Sequence, residues 1–385
     1  MRIHRAFLVV ATLFVASALP NLHAQMLANI EASHSAATIS LTGSFIPSAF
    51  SANGMIAAGR AGGIAAVYNK TDGVTLLGTF PEADSQASDV AGISADGTIV
   101  TGYSRSFVDN EAFRWTLSTG LQKLKDITGH GPYGPGLYTG NPNTRTFFTN
   151  PGGISRNGQF IVGAGGTANG QEAFIWSISS GFTALGDVAG GNVTSTARDV
   201  TDSGSTILGN GYSSVNTLEM LKWNEDRQLS VINTGISQTF RPTTIGEGDT
   251  KAVLASSEYI VELDLASGAT DIVLDSSRFS DINISETFAD GSLNTFVVAQ
   301  RYFYFRDSDA VFTVSDFLAS NSIELDSSWT NIRVTGISDD GKVFGGRLIV
   351  NGTTTGFIAT VPEPSTYALL AMSAASALWW ARRRR

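Results

Sequence analysis

The chain carries four histidines, and their positions limit the chemistry it can perform. His4 and His23 lie in a leader-like N-terminus and His34 just after it, so His130 is the histidine of the body. A hydroxyl nucleophile needs a base within hydrogen-bond reach, usually an imidazole. A lone histidine in the Gly/Pro-rich run Asp126–Pro151 (DITGHGPYGPGLYTGNPNTRTFFTNP) reads as solvated rather than catalytic. There is no histidine pair for zinc, no Gly-Lys-Ser/Thr loop for phosphate and no cysteine for thiolate sites or disulfides. Asp96, Asp202, Asp339 and Asp340 suggest calcium by composition, but hairpin chemistry already accounts for them, and neither an EF-hand loop nor an RTX-type nonapeptide is present. No catalytic residue, metal ligand or cofactor is therefore expected.

The residues best suited to contact another molecule are Tyr133, Tyr138, Phe147 and Phe148 in the same run. With Asn141, Asn143 and Arg145 they could stack on and hydrogen-bond to sugar rings. The competing reading is a spacer pinned by its own aromatics. Arg301–Phe305 (RYFYF) alternates as a half-buried strand does, rather than as a binding stripe.

Net charge is −9, and the middle is more acidic than this. Arg2 and Arg5 lie in the leader and Arg382, Arg383, Arg384 and Arg385 at the tail; without these and Glu363 the remainder carries about −14. Such a surface repels phosphate backbones, so nucleic acid is not an expected partner.

Both ends read as addresses. Residues 1–24 form a secretory signal: basic residues, the mostly apolar run Ala6–Ala18, then Pro20 and a small residue at Ala24, where cleavage is expected. At the other end Val361-Pro362-Glu363-Pro364-Ser365-Thr366 precedes the apolar run Tyr367–Ala381 and the four arginines. About fifteen apolar residues make a helix of ~22 Å, a short membrane span. Trp379 and Trp380 suit the interface, and the arginine cluster stops transfer on the cytoplasmic side. By itself this pattern gives a single-span anchor.

Residues 362–385 closely resemble the PEP-CTERM sorting signal of Gram-negative bacteria, in which Pro-Glu-Pro, an apolar helix and a basic tail follow in that order. The resemblance implies that Pro362, Glu363 and Pro364 are recognised by a membrane protease of the exosortase type, which removes the helix and passes the protein outward. It also implies transient anchoring in the inner membrane, then a cell-surface or extracellular location associated with exopolysaccharide and biofilm matrix.

What must position any site is a repeat. Gly92–Trp115 (GISADGTIVTGYSRSFVDNEAFRW) returns as Gly153–Trp176 (GISRNGQFIVGAGGTANGQEAFIW) and more loosely as Asp199–Trp223. Turn glycines mark copies at Gly54, Gly97, Gly158, Gly204 and Gly341, with weaker copies at Gly291 and around Gly248, mostly about 45 residues apart. A second glycine recurs five later (Gly59, Gly102, Gly163, Gly209, Gly346), which suggests close backbone approach near a crowded axis. A third strand carries an aromatic: Trp115, Trp176, Trp223, with Tyr68 and Phe357 in flanking copies. The units resemble HAF-type extracellular repeats, with Glu111-Ala112-Phe113-Arg114-Trp115 and Glu172-Ala173-Phe174-Ile175-Trp176 showing Glu in place of His. That resemblance bears on location and fold, not chemistry.

Four strands per copy and no helix between copies predict an all-β fold: a β-propeller of about seven four-stranded blades over residues 25–360, with a 126–151 loop insertion. A signal peptide (1–24) precedes it, and the sorting signal with its transmembrane helix (361–385) follows. Ala37–Thr42 (ATISLT) is expected to complete the last blade and close the ring. The reading is a non-enzymatic, structural or adhesive matrix protein. The alternative is a polysaccharide-active hydrolase or lyase using a carboxylate pair in a central pocket.

Overall fold

The computed structural model describes residues 37–81, 86–105, 110–124, 149–167, 170–214, 217–279 and 283–361. Ala24, Tyr133, Tyr138, Phe147, Phe148, His130, the Pro362-Glu363-Pro364 motif, the apolar tail and the terminal arginines lie outside them. Among the described residues no helix is long and apolar enough to cross a membrane.

Alternating hydrophobic residues between tight turns fold into seven four-stranded antiparallel sheets, arranged as a seven-bladed propeller within the unit Ile39–Thr360. Blade 1 holds β2 (Phe45–Phe50), β3 (Ile56–Ala61), β4 (Ile64–Asn69) and β5 (Gly73–Leu76). Blade 2 holds β6 (Ser88–Ile93), β7 (Val100–Arg105), β8 (Asn110–Thr116) and β9 (Gly120–Lys123). Blade 3 holds β10 (Thr149–Ile154), β11 (Phe160–Gly166), β12 (Gln171–Ser177) and β13 (Gly181–Gly186). Blade 4 holds β14 (Ser195–Val200), β15 (Ile207–Ser214), β16 (Thr217–Trp223) and β17 (Leu229–Ile232). Blade 5 holds β18 (Arg241–Ile245), β19 (Lys251–Ala255), β20 (Tyr259–Asp264) and β21 (Thr270–Asp275). Blade 6 holds β22 (Phe288–Ala289), β23 (Thr295–Val298), β24 (Tyr302–Phe305) and β25 (Ala310–Thr313).

Blade 7 is built from both ends of the propeller. Its inner three strands are β26 (Trp329–Ile337), β27 (Val343–Val350) and β28 (Thr353–Thr360), and β1 (Thr38–Gly43) pairs outside β28. The expected ring closure by the N-terminal strand is present, so neither end leaves an open ladder there.

The core lies between blades. Phe113, Val67 and Leu77 pack between blades 1 and 2, and Ile161, Phe174 and Trp176 pack with Leu124 between blades 2 and 3. Trp223, Ile207 and Val162 join blades 3 and 4, where the Trp223 indole N–H donates to Leu185 O at 2.7 Å. Register places Phe357 opposite Gly346 as Phe113 is opposite Gly102, so Phe357 matches Phe113 and Ala359 stands where the tryptophans stand. Between blades 6 and 7 a helix appears that the repeat did not predict: α1 (Val314–Ser320), capped by Thr313, whose hydroxyl accepts from Asp316 N at 3.0 Å. It forms because Val314, Phe317 and Leu318 fall on one face, and Phe317 packs on Phe303, Phe305 and Phe344.

The glycine pattern has two distinct causes. In six innermost strands the register slips by one residue, leaving Ser48, Ala91, Gly152, Arg198, Thr243 or Thr335 as the extra residue of a bulge. Gly102 and Gly346 sit on the second strand against that bulge, where an added Cβ would collide with Asp89 O or Arg333 O. The close approach inferred from sequence is real, but its partner is the first strand of the same blade rather than the axis.

The first hairpin of four clear copies is fixed by a serine, and that of the copy at Gly204 by Thr201, whose hydroxyl accepts from Thr206 N at 3.0 Å. Ser94 Oγ donates to Asp96 Oδ1 at 2.6 Å and accepts from Ile99 N at 3.0 Å, while Gly97 takes φ +76°. Ser51, Ser155 and Ser338 repeat this with Asn53, Asn157 and Asp340. In the two weak copies the left-handed residue is Asp249 (φ 53°) and Leu293 (φ 57°), not Gly248 and Gly291 as the spacing suggested.

Candidate functional site

The innermost strands enclose an axial cavity of about 360 Å³. Its wall mixes backbone and small side chains with five charged residues: Arg156, Arg198, Asp199, Asp249 and Asp339. Each comes from the same two places in the repeat, the end of the innermost strand or the turn after it.

At the turn end the blades are joined in a circle, built from the residue after each turn serine or its equivalent. Ala52 N donates to Ala95 O at 2.8 Å and Ala95 N to Arg156 O at 2.7 Å. Glu247 N donates to Gly291 O at 2.8 Å and Gly291 N to Asp339 O at 3.1 Å, and Asp340 N closes on Ala52 O at 3.2 Å. Between blades 3, 4 and 5 side chains supply the link. Asn157 N donates to Asp202 Oδ1 at 2.7 Å, Asn157 Nδ2 to Asp202 O at 2.8 Å, and Asp202 N to Asp249 Oδ2 at 2.7 Å. Asp202 and Asp339 lie in the turns as expected but their side chains reach other blades, whereas those of Asp96 and Asp340 act within their own hairpins.

Arg156 reaches across this circle. Its guanidinium pairs with Asp339 of blade 7 and stands 3.7 Å from Glu247 of blade 5. Burial raises the Asp339 carboxyl above its ordinary value, against the pull of Arg156.

Asp199 replaces the glycine of the Gly-Ile-Ser pattern and lies half-buried in the cavity wall. Its Oδ1 accepts from Val200 N at 2.8 Å and its Oδ2 from Ile245 N of blade 5 at 2.7 Å. Burial pushes its pKa up to about 7; the two N–H donors oppose this, the charge of Asp249 adds to it, and Arg156 lowers it. Burial also raises Asp249, against its bond from Asp202 N. Sequence reasoning missed this carboxyl, although the departure from Gly at that repeat position was a signal for it.

Farther along the axis Arg198 is the one cation among the six bulge residues. Its Nε donates to buried Asn210 at 3.2 Å, and burial together with nearby Arg241 lowers its pKa. Asn210 in turn donates to Phe240 O at 2.9 Å.

Chemically, the axial carboxylates are already engaged by backbone N–H groups or by Arg156. Asp199 can take up and release a proton near neutral pH, but no histidine stands among the described residues to work with it. No cluster of three His, Asp or Glu side chains able to hold a metal ion occurs among the described residues. The sugar-stacking candidates Tyr133, Tyr138, Phe147 and Phe148 lie outside the described residues.

The model of the PEP-CTERM protein-sorting motif matches residues 360–385. The chain carries that motif, which marks an exported protein sorted at the membrane. No curated protein matches the sequence. In fold, the chain is similar to an oligogalacturonate lyase solved in complex with manganese (TM-score 0.56, 12% identity, covering 84% of this chain and 91% of that one). It is similar also to an oligogalacturonate lyase from Vibrio parahaemolyticus (TM-score 0.56, 11% identity, covering 85% and 98%). At these identities the likeness is one of propeller architecture.

Proposed function

We propose that this chain is a non-enzymatic matrix protein of the bacterial surface, structural or adhesive in role and associated with exopolysaccharide. Its leader is removed after Ala24. An exosortase-type protease recognises Pro362, Glu363 and Pro364, and the inner membrane holds the tail, stopped by Arg382–Arg385, until release. The observation that carries the non-enzymatic part is the commitment of the axial carboxylates. Asp199, Asp202 and Asp249 each bond an N–H of a neighbouring blade, and Asp339 is paired with Arg156. A general acid or nucleophile must be free to face its substrate, whereas these groups hold blades together.

The test is co-sedimentation of the purified protein with exopolysaccharide from a biofilm culture, with soluble products assayed in parallel. Retention in the pellet without new reducing or unsaturated chain ends is the expected result. A second reading, a polysaccharide hydrolase or lyase, draws on the near-neutral pKa of Asp199 in a central cavity. It requires release of oligosaccharides that Asp199→Asn abolishes.

A further inference from the structure

A second cavity opens between blades 1 and 2, with a volume of about 620 Å³. Its origin lies in one position of the third strand. Val67 of blade 1 pairs with Ala58, and the same register position is held by Arg114 in blade 2 and Ile175 in blade 3. The residue facing this position from the next blade is Trp115, Trp176 or Trp223. Trp176 and Trp223 are 1% and 0% exposed, whereas Trp115, beside Val67, is half-buried and borders the cavity. Phe113 and Trp115 both face blade 1, and Arg114 between them also borders the cavity.

The groove therefore has an aromatic floor, aliphatic walls from Ile56 and Val67, and a polar rim that includes Asn69, Asp72 and Thr98. Asn69 Nδ2 donates to Asp72 Oδ2 at 2.9 Å, which fixes the carboxylate and leaves its other oxygen for a hydroxyl donor. Asp72 and Arg114 both border the groove, one charge of each sign, so it has no net charge and suits a neutral molecule rich in hydroxyls with one apolar face.

We propose that this groove is a subsite for a neutral hexopyranose within a glycan chain, its ring face on Trp115 and its hydroxyls on Asp72 and the neighbouring rim. This deepens the exopolysaccharide reading and rests on it. A ring of that kind stacks on indole by the same contacts that bury an aromatic pair, and the volume falls in the usual range for small-molecule sites.

Intrinsic tryptophan fluorescence of the full chain, titrated with neutral gluco-, manno- and galacto-hexasaccharides and with hexagalacturonate, tests it. Saturable quenching by at least one neutral hexasaccharide is expected, stronger than that by hexagalacturonate. Trp115→Ala should weaken that binding at least about tenfold, and so should Val67→Arg, which fills the groove while keeping the indole. A single cooperative melting transition above the assay temperature establishes that both variants fold. Absence of any neutral-sugar response, or binding that both variants retain, overturns the groove assignment. If exopolysaccharide still co-sediments with the protein in that case, the broader reading survives; if it does not, that reading fails independently.

Discussion

Asp199→Asn separates a structural carboxyl from a merely buried one, and its effect can be worked from the structure. The Asp199 pKa of about 7 lies above the ~3.9 expected for an unfolded aspartate, so the folded protein binds more protons between those values. The stabilisation from protonating Asp199 is complete below the unfolded pKa and is lost as pH rises through about 7. Between pH 5 and pH 8 this amounts to ~2.5 kcal/mol less stability at the higher pH from this group alone. Spread over a unit of about 320 residues, it is ~4 °C in Tm. Asparagine matches the shape but presents an amine where one oxygen accepts an N–H, from Val200 or Ile245. That unmade bond costs ~1–3 kcal/mol at both pH values alike. The assay is equilibrium urea unfolding of wild type and variant at pH 5 and pH 8. The variant should be weaker at pH 5, and its change between the two pH values should be smaller than that of wild type by ~2.5 kcal/mol. Glu262 does not confuse the comparison: burial opposes its ionisation, but Arg306 and Lys251 outweigh this and keep its pKa below the ordinary value, outside the window. Parallel pH dependence in the two proteins would refute the assignment of a near-neutral carboxyl at this position.

Three further outcomes follow from the same geometry. Deleting Thr38–Gly43 removes the outer strand of blade 7; at ~0.5 kcal/mol per cross-strand pair the loss is ~3 kcal/mol, seen as earlier melting, and an unchanged Tm would contradict closure of the ring by β1. Gly346→Ala drives a methyl into Arg333 O at the bulge of β26 and should cost more than ~2 kcal/mol, whereas Gly352→Ala meets no atom and bears only the left-handed φ of +82°, so the first should unfold at clearly lower denaturant. Glu363→Ala should leave the four terminal arginines on the mature chain and the protein in the inner membrane, read by mass spectrometry of membrane and surface fractions; processing at wild-type rate would remove the sorting role given to the motif.

Much of the architecture was readable because it is local. The Asp or Asn and the glycine after it act within a few residues, so the clear hairpins announced themselves in sequence, and hairpins at a regular spacing with no cysteine or helical period leave few folds but a ring of sheets. The sorting signal was equally local. Where turn chemistry was carried by unusual residues, as in Asp249 and Leu293, the glycines nearby misled the reading by one or two positions. The helix α1 was missed because seven residues give too short a period to stand out from the flanking strands.

The sequence by itself determined the propeller class with about seven blades, the hairpin chemistry of the clear copies, the strand that closes the ring and the address at the C-terminus. Tertiary structure alone decided that Asp202 reaches Asn157, that Asp199 reaches Ile245, that Arg156 spans to Asp339, and that Trp115 and Val67 line one groove. Those pairs are separated by one blade or several. Which side chain meets which across that distance depends on the bulge in each innermost strand and on the size of its neighbour, and neither leaves a mark within the few residues that a sequence pattern spans.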